Sequence, residues 1–160
     1  MSDIALYQDP NVIRRLLSTA RTIAVVGLSA NPLRPSHFVG FYLLRHGYRV
    51  IPVNPREREI LGQRSVERLD QIDVPVDIVD VFREPSVVPQ LATEAAAIGA
   101  KALWLQFGVI HDEGAAQAKR TGLDVVMDRC LKIEHARYLG RMHWLGFNTG
   151  VISARRNTPI

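Results

Sequence analysis

The apolar run Ile23-Ala24-Val25-Val26 stops at Gly27, and Ser29, Asn31, Pro32, Arg34 and Ser36 follow. A glycine for a sharp turn, two hydroxyls, a fixed cation and the N–H groups of a following helix are the parts of an anion site. The dinucleotide fingerprint G-x-G-x-x-G would place further glycines at 29 and 32; Ser29 and Pro32 stand there. The loop reads as a phosphate site of a stiffer kind, or else as a polar loop whose serines only cap.

A second stretch, Pro52-Val53-Asn54-Pro55-Arg56, ends another apolar run. A protein that holds the ribose hydroxyls of NAD wants Asp or Glu here. Asn54 and Arg56 instead suit a ligand with an extra phosphate on its ribose, which leaves NADP and coenzyme A. With Glu57 and Glu59 beside it, Arg56 reads equally as a surface residue. In a third stretch, Val81 and Phe82 can wall an adenine or simply pack, and Arg83 adds charge. Gln106 and Gly108 form a fourth, where a ligand passes close to backbone.

Cys130 lies between Arg129 and Lys132 at the start of an expected helix, a setting that lowers a thiol pKa and favours thiolate. It is a candidate nucleophile toward a ligand thiol or acyl group, or else a quiet half-buried cysteine. Glu134 and His135 are adjacent in that helix, so their side chains diverge, and His135 reads as structural. His37, His46, His111 and His143 show no metal-ligand spacing, and no hydrolase elbow is present.

The elements that must position these residues alternate. Asp9-Pro10 caps a helix ending near Ala20. Strands are expected at 22–26, 48–53, 77–82, 102–105 and 124–127. Helices are expected from Ser36 to Gly47, from Glu84-Pro85 to Ala97, at 112–121 and at 131–139, with a short one at 66–71. Gly62 marks a turn. Apolar strands alternating with helices give an α/β, Rossmann-like doubly wound, mainly parallel five-stranded sheet with helices on both faces. Ligands in such sheets bind outside the carboxyl ends of the strands, where strand order reverses. All the stretches above sit there.

The chain has 160 residues, 47% of them hydrophobic, and one cysteine. That suits one domain with a sizeable core and no disulfide. No signal peptide or membrane-length apolar run is read, so a cytoplasmic protein is expected. The net charge is +4, and no carboxylate side chain follows Glu134, while Arg137, Arg141, Arg155 and Arg156 do. The expected division is a domain over 1–140 and a basic tail over 141–160 of unassigned placement. The tail suggests a polyanionic ligand or nucleic acid, or is a solvated segment.

Together, VVGLSANPLRPS, HGYRVIPVNP with ILGQ after it, VDIVDVFREP, GAKALWLQFGV and VMDRCLKIEH resemble the small stand-alone CoA-binding proteins. These are related to the CoA-binding domain of the succinyl-CoA synthetase α subunit. The resemblance covers about 9–140. It implies the pyrophosphate on Gly27, Ser29 and the loop through Asn31, Pro32 and Arg34. It places adenosine against Pro52, Val53, Asn54, Phe82 and Arg83, with Arg56 near the ribose phosphate. The pantetheine arm would run past Gln106 and Gly108 toward Arg129 and Cys130.

The expectation is a binder of coenzyme A or acyl-CoA, without membrane or nucleic acid, acting with a protein partner or a second copy. The synthetase's second domain and nucleotide-binding subunit have no counterpart here, so catalysis by the chain alone is not expected. Two alternatives are a CoA-dependent thiol or acyl-transfer enzyme using Cys130, and an NADP-dependent oxidoreductase.

Overall fold

The protein is described by a computed structural model covering residues 3–140. The basic segment 141–160, with His143, lies outside the described residues. After a 3-10 turn at Ile4–Tyr7, helix α1 (Pro10–Thr19) starts where Asp9 accepts a hydrogen bond from the Asn11 N–H at 2.9 Å. Proline at its first position lacks an N–H that would go unpaired there. Strand β1 is Thr22–Val26, α2 is Pro35–Arg45 and β2 is Arg49–Val53. A hairpin of β3 (Glu59–Ile60) and β4 (Gln63–Arg64) follows, then a 3-10 turn at Leu69–Gln71. The rest is β5 (Ile78–Val81), a 3-10 turn at Pro85–Val87 leading into α3 (Val88–Ala97), β6 (Ala102–Leu105), α4 (Asp112–Arg120), β7 (Asp124–Met127) and α5 (Leu131–Tyr138).

Five strands form one sheet in the order β2-β1-β5-β6-β7, every pairing parallel. The α/β Rossmann-like sheet with helices on both faces is therefore as expected. The chain steps from β1 to β2 on one side and then crosses back to lay β5 on the other. The carboxyl ends of β1 and β5 thus flank the reversal in strand order, and loops from the two diverge around a crevice. Pro52 sits opposite Val25 in the edge strand β2, where its missing N–H costs no ladder bond to a further strand.

Side chains alternate across the sheet. Ala24, Val26, Val79, Val81, Leu103 and Leu105 pack with Leu91, Ala92 and Ala95 of α3 and Ala115 and Ala118 of α4. Ile23, Val25, Val50, Ile78 and Trp104 pack with α1, α2 and α5 through Ile13, Leu17, Val39, Leu43 and Leu131. Asp80 lies between Val79 and Val81, so its carboxyl points to this second face, flanked in register by Val25 and Trp104.

Two local expectations are corrected. The short helix expected at 66–71 is a 3-10 turn over Leu69–Gln71, and the β3–β4 hairpin before it was not expected. Val53 and Val66 pair there, which brings the hairpin onto the edge of β2. Ser36 does not cap α2; Arg34 occupies that position without a side-chain cap, and Pro35 opens the helix. No helix of the described residues is long and apolar enough to cross a membrane.

Candidate functional site: a cationic cleft at the strand-order switch

The carboxyl ends of β1, β2 and β5 open into a cleft of about 540 Å³. Gly27, Ser29, Arg34, Ser36, Val53, Asn54, Arg56, Phe82 and Arg83 line it, together with Pro35 and Pro55. Gly27 is held by both neighbours, since its N–H donates to the Val53 carbonyl at 3.0 Å and the Phe82 N–H donates to the Val26 carbonyl at 2.9 Å. Its φ is +87°, and a Cβ there would collide with the Phe82 carbonyl oxygen. Only glycine lets the two strand ends approach this closely while the chain turns.

The β1–α2 loop is folded by its own polar groups. The Ser36 hydroxyl accepts from the Ser29 N–H at 3.0 Å, and the Ser29 hydroxyl accepts from the Asn31 N–H at 3.1 Å. The Asn31 side-chain oxygen then accepts from the Leu33 N–H at 3.0 Å, and His37 Nδ1 lies 2.8 Å from the Ser29 carbonyl. Asn31 and Pro32 thus shape the loop from its exposed outer side and are not among the cleft-lining residues. Pro52 is buried one residue behind the cleft wall.

Asn54 joins this loop to the end of β2. Its amide donates to the Leu28 carbonyl at 3.0 Å, and its oxygen accepts from the Arg56 N–H at 2.8 Å. Among the described residues neither Arg34 nor Arg56 has an ion-pair partner, whereas Arg83 is paired with Glu84 at 3.0 Å. Three arginines and no carboxylate face the cleft. Such a lining suits an anion, and Val53 and Phe82 give it an apolar wall.

The remaining expected residues lie farther along the same sheet edge. Gln106 is buried, and its amide donates to Asp80 Oδ1 at 2.8 Å inside the sheet layer. Gly108 has φ +86°, and its N–H donates to the Asp128 carboxylate at 2.7 Å. Arg129 and Cys130 line a smaller pocket of about 280 Å³ with Phe107, Ile133, Glu134 and Arg137. The Arg129 carbonyl accepts from the Trp104 indole N–H at 2.8 Å, which pins the start of α5 to β6.

Of the two readings of Cys130, the structure does not give the lowered thiol pKa; the side chain is half-buried. Burial pushes its thiol above the ordinary value, the Asp80 carboxyl adds to that, and the nearby Lys132 and α5 N–H groups only partly oppose it. His135 is structural as expected. It sits against Tyr42, whose hydroxyl lies 2.8 Å from its Nδ1, and burial with the neighbouring His46 brings its pKa down to about 4. Among the described residues no cluster of three or more His, Cys, Asp or Glu could hold a metal ion.

Asp80 escaped the sequence reading, and Glu134 and Arg137 were not read there as a pair. Asp80 is fully buried, and burial drives its carboxyl up to about 8 against the pull of the Gln106 amide. The available signal was an acidic residue inside the apolar strand Ile78–Val81. Glu134 and Arg137, i and i+3 in α5, are both buried and paired at 3.2 Å.

Comparison with known proteins agrees with this geometry. A family model described as a CoA binding domain matches residues 21–136. The uncharacterized protein YneT of Bacillus subtilis (strain 168) is 42% identical over 124 residues, spanning 78% of this chain and 92% of its own. A solved hypothetical protein of Pyrococcus horikoshii OT3 superposes with a TM-score of 0.82 at 34% identity, over 88% of this chain and 99% of that one. A solved protein of Thermus thermophilus superposes with a TM-score of 0.78 at 43% identity, over 82% and 100%. Matched over most of its length by the family model and by relatives of nearly its own extent, the chain belongs to the CoA binding domain family.

Proposed function

We propose that the chain binds coenzyme A or an acyl-CoA in the arginine-lined cleft and does not turn it over alone. The observation that carries this reading is Asn54. It stands past the end of β2, where an NAD-binding protein has a carboxylate, and its bond to the Arg56 N–H shapes the turn from which Arg56 lines the cleft. Family membership supports the ligand. In this reading the pyrophosphate lies over Gly27, Ser29 and Arg34, the adenine against Val53 and Phe82, and the 3′-phosphate of the ribose by Arg56. The pantetheine arm then follows the sheet edge past Gly108 toward Arg129 and Cys130, with the Gln106 side chain supporting that edge from inside. Residues 1–140 are the binding domain, in a cytoplasmic protein that presents the ligand to a protein partner or a second copy.

Calorimetric titration with CoA, dephospho-CoA, NADPH and NAD tests the reading. CoA is expected to bind, dephospho-CoA to bind more weakly, and Arg56→Ala to erase that difference. Silence with CoA together with binding of NADPH would move the cleft to the hydride cofactors.

A further inference from the structure

In the small pocket lined by Arg129 and Cys130, one buried carboxylate is shared by two guanidinium groups, one buried and one partly exposed. Glu134 is 1% exposed and Arg137 is 6% exposed. The single Glu134 carboxylate faces two guanidinium groups, Arg137 at 3.2 Å and Arg129 at 3.6 Å. Arg129 is otherwise fully engaged. Its Nη1 donates to the Asp128 carbonyl at 3.1 Å and its Nη2 to the Gln8 side-chain oxygen at 2.9 Å.

Arg137 is different. Glu134 takes its Nη1, while its Nε is buried with no hydrogen-bond partner among the described residues. A charged donor left unpaired away from water is costly. A second anion beside the Arg137 guanidinium would offset that. The chain's own candidates are few. The Asp128 carboxylate receives the Gly108 N–H, Asp80 is held by Gln106 deeper in the sheet layer, and no carboxylate side chain follows Glu134 in the sequence.

The pocket's other walls are Phe107, Ile133 and Cys130, apolar surfaces that suit a short methylene chain. At about 280 Å³ it has room for a small acyl group. We infer that this pocket receives the terminal carboxylate of a short dicarboxylic acyl thioester, with Arg137 as the residue that distinguishes it from a neutral acyl group. The inference rests on the CoA-binding reading and names the class of acyl-CoA that this reading leaves open.

Calorimetry on the wild-type protein with CoA, and with malonyl-, succinyl- and glutaryl-CoA each against propionyl-, butyryl- and pentanoyl-CoA, tests it. At least one carboxylated thioester is expected to bind about tenfold or more tightly than its neutral counterpart. Arg137→Met should abolish that preference while leaving the affinity for free CoA in place. Ile133→Glu, a change at a half-buried wall position, keeps the test available if Arg137→Met fails to fold. Its added carboxylate competes for the same guanidinium and should abolish the preference too. Equal binding within each pair, or a preference that survives the folded variants, overturns the inference while CoA binding stands. Absence of binding by CoA and every thioester would overturn the CoA reading with it.

Discussion

Gln106 donates its amide to Asp80 Oδ1 at 2.8 Å between β6 and β5, and Asp80 Oδ2 has no partner among the described residues. The pair lies on the α5 face of the sheet, beneath the carboxyl ends that frame the ligand path. A half-satisfied buried carboxyl prefers to stay neutral, because water is absent and the Gln106 amide and Val81 N–H do not replace it. The strand is thereby given a titrating group that no apolar residue would provide.

Stability should therefore fall as pH rises. The Asp80 carboxyl sits near 8 in the folded protein, against about 4 for an unfolded aspartate. Below that lower value both states hold the proton and the group has no effect. Between the two values only the folded state keeps it, so folding loses free energy as pH rises, and above the higher value the loss levels off. Asp80→Asn keeps the acceptor for Gln106 and removes the titration. Urea unfolding should find the variant more stable than wild type at pH 8, by on the order of a few kcal/mol, with the gain gone near pH 4. Parallel pH profiles for the two proteins would show that Asp80 does not titrate in this window.

Gly27→Ala should loosen the cleft at its base. The new Cβ must be accommodated at a φ of +87° against the Phe82 carbonyl, which costs about 1–3 kcal/mol. A chemical melt should show that loss, and CoA affinity should drop with it, since the displaced β1 and β5 ends carry both the phosphate loop and Phe82. Gly47→Ala serves as a comparison. It has the same φ but nothing within 4 Å of the new Cβ, so it should lower stability less and leave ligand affinity unchanged.

What was legible in the sequence follows from how locally each feature is determined. The Asp9-Pro10 start of α1 and the Gly27 end of β1 are set by neighbours in the chain, and both were readable there. The β3–β4 hairpin was not. Its strands are two residues each, too short for alternation to show, and its turn places Leu61 at φ +54°, a conformation leucine seldom signals. The arginines of the cleft were legible as cations, yet the sequence could not say that Arg83 is paired while Arg34 and Arg56 are not. Burial was the main thing missing. It decided between the two readings of Cys130, where adjacent charges were visible and desolvation was not, and it hid Asp80 and the Glu134–Arg137 pair.

The cleft arginines should contribute unequally. Arg34→Ala and Arg56→Ala remove cations with no ion-pair partner among the described residues, and each should weaken CoA binding by about tenfold, a charge-assisted hydrogen bond's worth. Arg83→Ala removes a cation already neutralised by Glu84, so its effect should be smaller. All three are exposed positions, and thermal melts should change little. Titrations at rising salt should weaken wild-type binding most steeply and flatten in the Arg34 and Arg56 variants. Equal losses at all three positions would mean that Glu84 leaves Arg83 when the ligand arrives.

Cys130 should alkylate slowly. Burial raises its thiol pKa, with the Asp80 carboxyl adding to the effect, so at neutral pH little thiolate is present to attack. The rate of reaction with iodoacetamide, followed against pH, should reach its midpoint above that of an ordinary thiol, about 8.5. Asp80→Asn should lower the midpoint by removing one of its causes, and saturating CoA should slow the reaction by covering the pocket mouth. A wild-type midpoint below the ordinary value would restore the thiolate at Cys130. It would also reopen an acyl- or thiol-transfer role for the chain, because the ligand's reactive end would then meet a working nucleophile. A high midpoint that Asp80→Asn leaves unmoved would assign the whole effect to desolvation and uncouple the cysteine from the buried carboxyl.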